Sequence, residues 1–128
     1  MNIPQKLSFL IAAILILTAS CSSKTAAPAT MAGFWQDGDN NVTTIQEKDG
    51  NYVAVTVYDM DQSHSQNLLV SSAYENGVLT WKYCPPAKSC LTMQTVSFNG
   101  DALDVTWTDD KGGSGKMTLK RVDKGTNF

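Results

Sequence analysis

The chain has 128 residues, with ten basic and twelve acidic side chains and a formal net charge of −2. That length predicts one domain once a leader is removed. The charges are scattered and form no basic stripe, so we expect no nucleic-acid partner.

The N-terminus has the pattern of an export signal. Residues 7–17 are apolar except for Ser8 and carry no charge, but they are too few to span a bilayer, which takes about 20 apolar residues. Residues 17–21 read LTASC, which resembles the lipobox cleaved by bacterial lipoprotein signal peptidase. The alternative is an ordinary secretory signal that is followed by a chance cysteine.

The lipobox resemblance implies a lipid anchor on Cys21. Residues 1–20 would be removed, and Cys21 would carry a thioether-linked diacylglycerol and an N-acyl chain such as palmitate, enough chains for stable attachment to a lipid bilayer. Ser22 after the cysteine, in place of Asp, implies for a Gram-negative host the outer membrane, facing the periplasm. The small and polar residues 22–32 then predict a flexible tether, with a reach of at most about 35–40 Å.

Hydrophobic residues alternate with period two from residue 33 to residue 122, which predicts a β-domain. One such run places Val53, Val55 and Val57 on one face. A phase change in the sixth strand predicts a bulge near Gln94 or Thr95. Residues 123–128 are expected to be a disordered tail. The predicted strands number eight: 33–37, 42–48, 51–58, 67–75, 78–84, 90–98, 101–108 and 115–122.

The connections predict a barrel with two unlike ends. The dipeptides Asp49-Gly50, Asn76-Gly77 and Asn99-Gly100 favour tight hairpins. In an up-and-down meander they all lie at one end, here called the closed end. The longer connections lie at the other, the open end. Eight antiparallel strands suffice to close an all-β, up-and-down barrel.

Gly33-Phe34-Trp35 in the first strand and Arg121 in the last resemble the G-x-W motif and late basic residue of the lipocalin-like, or calycin, superfamily. The resemblance implies a plug at the closed end, in which Arg121 stacks on Trp35 beside Gly33. The chain is shorter than most lipocalins and lacks their C-terminal helix, which favours a packed interior over a large cavity. The side chains expected to fill it are Trp81, Tyr83, Trp107 and Met117.

Two cysteines remain after Cys21, and an exported chain folds in an oxidising compartment. We therefore expect a disulfide between Cys84 and Cys90, which contributes about 2–3 kcal/mol by closing a short loop. Two free thiols or a metal pair are the alternative.

The sequence carries no enzyme signature and predicts no cofactor and no metal site. Asp37, Asp39, Asp59 and Asp61 place oxygen ligands at alternate positions, as a calcium loop does. However, the first run lacks the glycine and glutamate that an EF-hand needs. We interpret these residues as part of the partner-facing loops of the open end, whose candidate residues are Asp37, Asp39, Asp59, Asp61, His64, Pro85 and Pro86.

These features predict a lipid-anchored binding module of the cell envelope. Its open-end loops would bind an envelope protein or a small apolar ligand. One alternative is a protease inhibitor, because small exported barrels with G-x-W and one disulfide resemble the periplasmic inhibitors of alkaline metalloproteases. Residues 25–32 would then enter the protease cleft, although the two cysteines lie later in this chain than in that family. Another alternative is a structural or assembly factor.

Overall fold

The computed structural model describes residues 30–60 and 66–123. Within them no helix is long and apolar enough to cross a bilayer. Several predictions fall on residues outside the described ranges: those for residues 1–29 including Cys21, for Asp61, for His64 and for 124–128.

The described residues form eight antiparallel strands, which confirms the predicted all-β, up-and-down barrel. Each strand pairs with the next except β3 with β4, and β1 also pairs with β8. The order around the nearly closed barrel is β3-β2-β1-β8-β7-β6-β5-β4. The strands are β1 (Gly33–Gln36), β2 (Asn41–Lys48), β3 (Asn51–Asp59), β4 (Leu69–Glu75), β5 (Val78–Tyr83), β6 (Leu91–Asn99), β7 (Ala102–Asp109) and β8 (Ser114–Val122).

The alternating pattern places large side chains in the barrel interior. In β7, Leu103 and Val105 are buried, while Asp104 between them is exposed. Burial of one such apolar side chain stabilises the fold by about 1.5–3 kcal/mol. The largest fully buried side chains are Trp35, Trp81, Tyr83, Ile45, Leu79, Met93, Leu103, Leu119, Val57 and Val105. The interior is therefore filled by side chains around Trp81 and Tyr83.

Three strands contain a bulge, each at a valine: Val55 in β3, Val70 in β4 and Val96 in β6. The β6 bulge lies one residue beyond the predicted position. The prediction that Val53, Val55 and Val57 share a face is wrong, because the extra residue at Val55 reverses the alternation. Ala54 and Val57 are the buried residues instead.

Two of the three predicted turn dipeptides occupy hairpin tips. Asp49–Gly50 and Asn76–Gly77 have positive φ at both residues, as a type I′ turn requires. The third turn lies one residue later than predicted, because Asn99 pairs with Ala102 and leaves Gly100 and Asp101 at the tip.

The predicted plug residues meet at the closed end. The guanidinium carbon of Arg121 lies 4.4 Å from the ring centroid of Trp35, within the range of a cation–π contact. The buried Trp35 indole donates a hydrogen bond to the Met31 carbonyl (2.8 Å). Gly33 has φ of 145°, and a Cβ there would overlap with Arg121 Nη1. Glycine at this position is what allows the guanidinium to reach the indole.

Arg121 also fastens the segment that precedes β1. Its Nη1 donates to the Ala32 carbonyl (2.7 Å), its Nη2 to the Thr30 carbonyl (2.7 Å) and its Nε to the Gly100 carbonyl (2.9 Å). The part of the chain that is fixed to the barrel therefore includes residues 30–32, which we predicted to be part of the tether.

Side chains close the seam between β3 and β4, where a backbone ladder is missing. A single bridge pairs Tyr58 with Asn67. The Val57 amide donates to Asn67 Oδ1 (3.2 Å), and the Ala54 amide donates to Ser72 Oγ (2.9 Å). These bonds satisfy strand-edge amides that would otherwise be exposed for pairing with another chain.

On the outer face of the barrel, Asp104 connects three strands. Its carboxylate accepts hydrogen bonds from the hydroxyls of Thr118 (2.6 Å) and Ser97 (2.8 Å). These two bonds, chiefly that from Thr118, lower the pKa of Asp104, because they favour its charged form.

Candidate functional site

Three described connections lie together at the open end: residues 37–40, 84–90 and 110–113. A cleft of about 330 Å³ opens between them, at the lower limit of typical ligand pockets. Its apolar lining comes from Pro85, Leu91, Trp107 and Met117. Its polar lining comes from Asp39, Lys88, Ser89 and Asp109.

A larger groove of about 720 Å³ lies beside β8 and the turn between β6 and β7, but its lining contains no aromatic side chain. The open-end cleft has both an aromatic surface and charged groups, and half of its lining residues lie on connecting loops. These are the features of a recognition site, where a few polar groups orient a partner against an apolar surface. We therefore take the cleft as the candidate site.

Trp107 is the aromatic residue of this cleft. It is only partly buried, whereas Trp35 and Trp81 are fully buried. Trp107 pairs with Gly115 across β7 and β8, and a Cβ on Gly115 would lie 2.7–2.8 Å from atoms of the indole. The indole ring therefore packs against the backbone of Gly115, and a larger residue at position 115 would displace it. As predicted, Trp107 and Met117 pack against the core of the barrel, but both are only partly buried and also line the cleft.

Asp37 braces the loop between β1 and β2. Its Oδ1 accepts hydrogen bonds from the amides of Asp39 (2.8 Å) and Asn41 (2.9 Å), and its Oδ2 accepts one from Asn41 Nδ2 (3.1 Å). Its own amide donates to the Asn41 carbonyl (3.1 Å). Asp37 was predicted to face a partner, but these bonds occupy its carboxylate within the loop. Its role is to position Asp39, which is exposed.

Asp109 braces the loop between β7 and β8 in the same way. Its Oδ1 accepts from the amides of Lys111 (2.8 Å) and Gly113 (2.7 Å), and its own amide donates to the Gly113 carbonyl (2.9 Å). The two loops thus share one arrangement, in which an aspartate at the end of a strand binds amides two and four residues later. Two of the three loops around the cleft are therefore fixed by hydrogen bonds within the loop itself.

The surroundings of Tyr83 indicate the electrostatic character of the open end. Its ring is buried, and its hydroxyl donates to Asp37 Oδ2 at 3.5 Å. Burial raises the pKa of Tyr83 well above its usual value, and the negative charges of Asp37 and Asp39 raise it further. The phenol therefore stays neutral, and it faces a region of negative potential.

The disulfide predicted between Cys84 and Cys90 is confirmed, with 4.0 Å between the two Cα atoms. It closes the loop that supplies Pro85 and Lys88 to the cleft. Pro85 is buried and Pro86 is exposed, so only the second of the two prolines lies at the surface as predicted. The disulfide holds this loop, which forms one wall of the cleft, in place.

The remaining predicted residues contribute less to this site. Asp59 is half-buried at the end of β3 and does not line the cleft. Among residues 30–60 and 66–123, no three His, Cys, Asp or Glu side chains group in a way that could hold a metal ion.

Sequence reasoning missed most of the cleft. Lys88, Leu91 and Asp109 were not singled out, and Trp107 was assigned to the core. One available signal was Gly115, a glycine inside a predicted strand, which often marks close approach of another group. A second was the aspartate and glycine pattern of residues 109–113, which is typical of a side-chain-braced turn.

Comparison of the chain with protein-family models, with curated proteins and with solved structures found no match in any of the three.

Proposed function

We propose that this protein is a lipid-anchored binding module of the bacterial envelope, which binds its partner with the open-end cleft. The observation that carries the proposal is the cleft itself, in which the partly buried Trp107 lies among charged residues, beside loops braced by Asp37, Asp109 and the disulfide. Loops that are already ordered lose little conformational entropy on binding, and this favours recognition.

The closed end supports the same assignment. Thr30, nine residues after the proposed anchor at Cys21, is bound to the closed end of the barrel by Arg121. Attachment there leaves the cleft at the opposite end of the barrel. We propose that the open end points away from the membrane, toward partners in the periplasm.

The arrangement of Gly33, Trp35 and Arg121 also supports a proposed kinship with the lipocalin-like, or calycin, barrels. The filled interior argues against an enclosed apolar ligand of the lipocalin type. We do not favour the protease-inhibitor hypothesis, because residues 30–32 of the segment that would enter a protease cleft are bound to the barrel.

Two experiments test the proposal. Mass spectrometry of the membrane fraction should find a triacylated N-terminal Cys21, and Cys21→Ser should release the protein from the membrane. A photo-crosslinking amino acid at Lys88, at the open end, should capture a partner in intact cells, whereas one at the exposed Lys48, beside the closed-end turn, should not. Crosslinks from Lys48 alone, or from neither position, would refute the open end as the binding surface.

A further inference from the structure

We propose that the open-end cleft receives the positively charged side chain of an arginine or lysine from a partner protein, with its cation over the accessible part of the Trp107 indole. The inference rests on the proposed function of the open end and adds the chemistry that the cleft recognises.

Trp107 offers the surface that such a cation needs. Tryptophan is the best aromatic partner for a guanidinium or ammonium group. The chain already uses this contact at its closed end, where Arg121 lies over Trp35 and near Phe98. The cation–π contacts of the described residues are both made by Arg121, and neither involves Trp107. Because the ring of Trp107 lies against the backbone of Gly115, its position is set before any partner arrives.

Charge complementarity favours a cation over an anion or a neutral group. The described open-end segments 37–41, 59–60, 84–90 and 109–113 contain five aspartates and two lysines. One of the five, Asp110, pairs with Lys82 of β5 (3.7 Å), so the negative charge still exceeds the positive charge when Lys82 is counted. Asp39 and Asp109 line the cleft beside Trp107, and Lys88 is the basic residue that lines it. The raised pKa of Tyr83, to which both Asp37 and Asp39 contribute, agrees with a negative potential here.

The shape of the site favours a side chain delivered by a protein. Pockets for small molecules bury most of the ligand surface, but this cleft is open, and the barrel interior beneath it is filled by Trp81, Tyr83 and Met93. A single long side chain can lie in such a cleft, while the rest of its protein covers the rim.

The test is an NMR titration of the ¹⁵N-labelled, full-length protein in dodecyl maltoside micelles. The chain has three tryptophans, and Trp107→Phe identifies the indole signal of the one in the cleft. The probe is the peptide acetyl-Gly-Ala-Arg-Ala-Gly-amide. Two matched peptides replace the arginine by citrulline, which has the same shape without the charge, or by glutamate. We expect the arginine peptide to shift the Trp107 indole signal more than either control does.

Three variants test how Asp39, Lys88 and the position of Trp107 contribute to peptide binding, and a fourth variant is the control. Asp39→Asn should weaken arginine-peptide binding about two- to fivefold and Lys88→Ala should strengthen it by a similar factor, as for exposed charge pairs. Both residues are exposed, so both variants should fold. Gly115→Ala should displace the indole and weaken binding at least about threefold. Gly38→Ala is the matched control at the same end, because a Cβ there meets no atom within 4 Å.

The outcomes separate the two proposals. Three outcomes would overturn the cation inference. The first is an equal shift with the arginine and citrulline peptides, and the second is stronger binding of the glutamate peptide. The third is no shift of the Trp107 signal at 10-millimolar peptide, which corresponds to about 2.7 kcal/mol of binding free energy at most. If crosslinking from Lys88 persists in that case, the open end still binds a partner of other chemistry. If that crosslink is also absent, both proposals fall.

Discussion

Replacement of Arg121 by lysine tests whether the closed end is held by geometry or by charge. Arg121→Lys keeps the positive charge but not the planar fork that reaches the carbonyls of Thr30, Ala32 and Gly100 at 2.7–2.9 Å. A lysine ammonium can replace about one of these bonds, and its contact with the Trp35 ring lacks the stacking of two planar groups.

The expected loss follows from the two bonds that lysine cannot make. Hydrogen bonds to a charged group contribute about 1.5–3 kcal/mol each, and the side chain of Arg121 is only 15% exposed, so water replaces them poorly. With partial replacement by water, we expect the free energy of unfolding to fall by about 3 kcal/mol, out of a typical total of about 5–15 kcal/mol. For a domain of this size that corresponds to a decrease in Tm of roughly 12–24 °C.

Urea and thermal unfolding, followed by circular dichroism with the disulfide intact, measure this loss. Lys120→Ala is the control, because Lys120 is the exposed neighbour of Arg121 in β8 and its loss should change stability by less than about 0.5 kcal/mol. Hydrogen exchange should also become faster at the Ala32 amide, which donates to Thr30 Oγ1. An Arg121→Lys protein as stable as the Lys120→Ala protein would refute the assigned geometry.

Three further predictions concern other parts of the barrel. Cys84→Ser together with Cys90→Ser should lower the free energy of unfolding by about 2–3 kcal/mol in urea titrations, and an unchanged midpoint would contradict the stapling role. Asp104→Asn should destabilise the protein more at pH 6 than at pH 2.5. The pKa of Asp104 is lowered in the folded state, chiefly by the hydrogen bond from Thr118, so its carboxylate contributes stability above its unfolded pKa, and that contribution is lost as the pH falls through the lower folded value. A wild-type advantage that is equal at both pH values would show that the charge is not responsible. Ser72→Ala should cost about 1–3 kcal/mol in the same titration, because it leaves a part-buried backbone amide at the seam without its acceptor; Ser71→Ala, at an exposed neighbour, is its control.

The period-two pattern predicted all eight strands to within two residues, because each strand buries one face and the alternation is visible in the sequence. The error in β3 comes from an extra residue within the strand, because the bulge at Val55 changed its inward residues. The turn after β6 lies one residue later than predicted, with Gly100 and Asp101 at its tip. A single extra residue hardly changes the composition of a strand. The hydrophobic pattern can therefore show that the alternation changes phase, but it does not locate the extra residue.

The candidate site was harder to predict than the fold, because its residues come together only when the barrel closes. Asp39, Lys88 and Trp107 lie on three different connections or strands, and no local pattern links them. The sequence pointed to Asp37 for its charge, but a carboxylate that binds amides within its own loop looks the same in sequence as one that faces a partner.

Separate sets of hydrogen bonds stabilise the two ends of the barrel, and this bears on how the proposed membrane-anchored module would bind its partner. At the closed end, Arg121 joins Thr30 to the turn at Gly100. At the open end, the bonds of Asp37 and Asp109 stay almost entirely within their own loops. No described hydrogen bond of Arg121 reaches the open-end loops, so the effects of changes at the two ends should add. The destabilisation from Arg121→Lys should therefore leave the affinity of the cleft unchanged in protein that is still folded, as expected for sites that share no partner. A cleft whose affinity followed the state of Arg121 would instead require a coupling through the packed core between Trp35 and Tyr83, and a double-mutant cycle with Asp39→Asn would measure it.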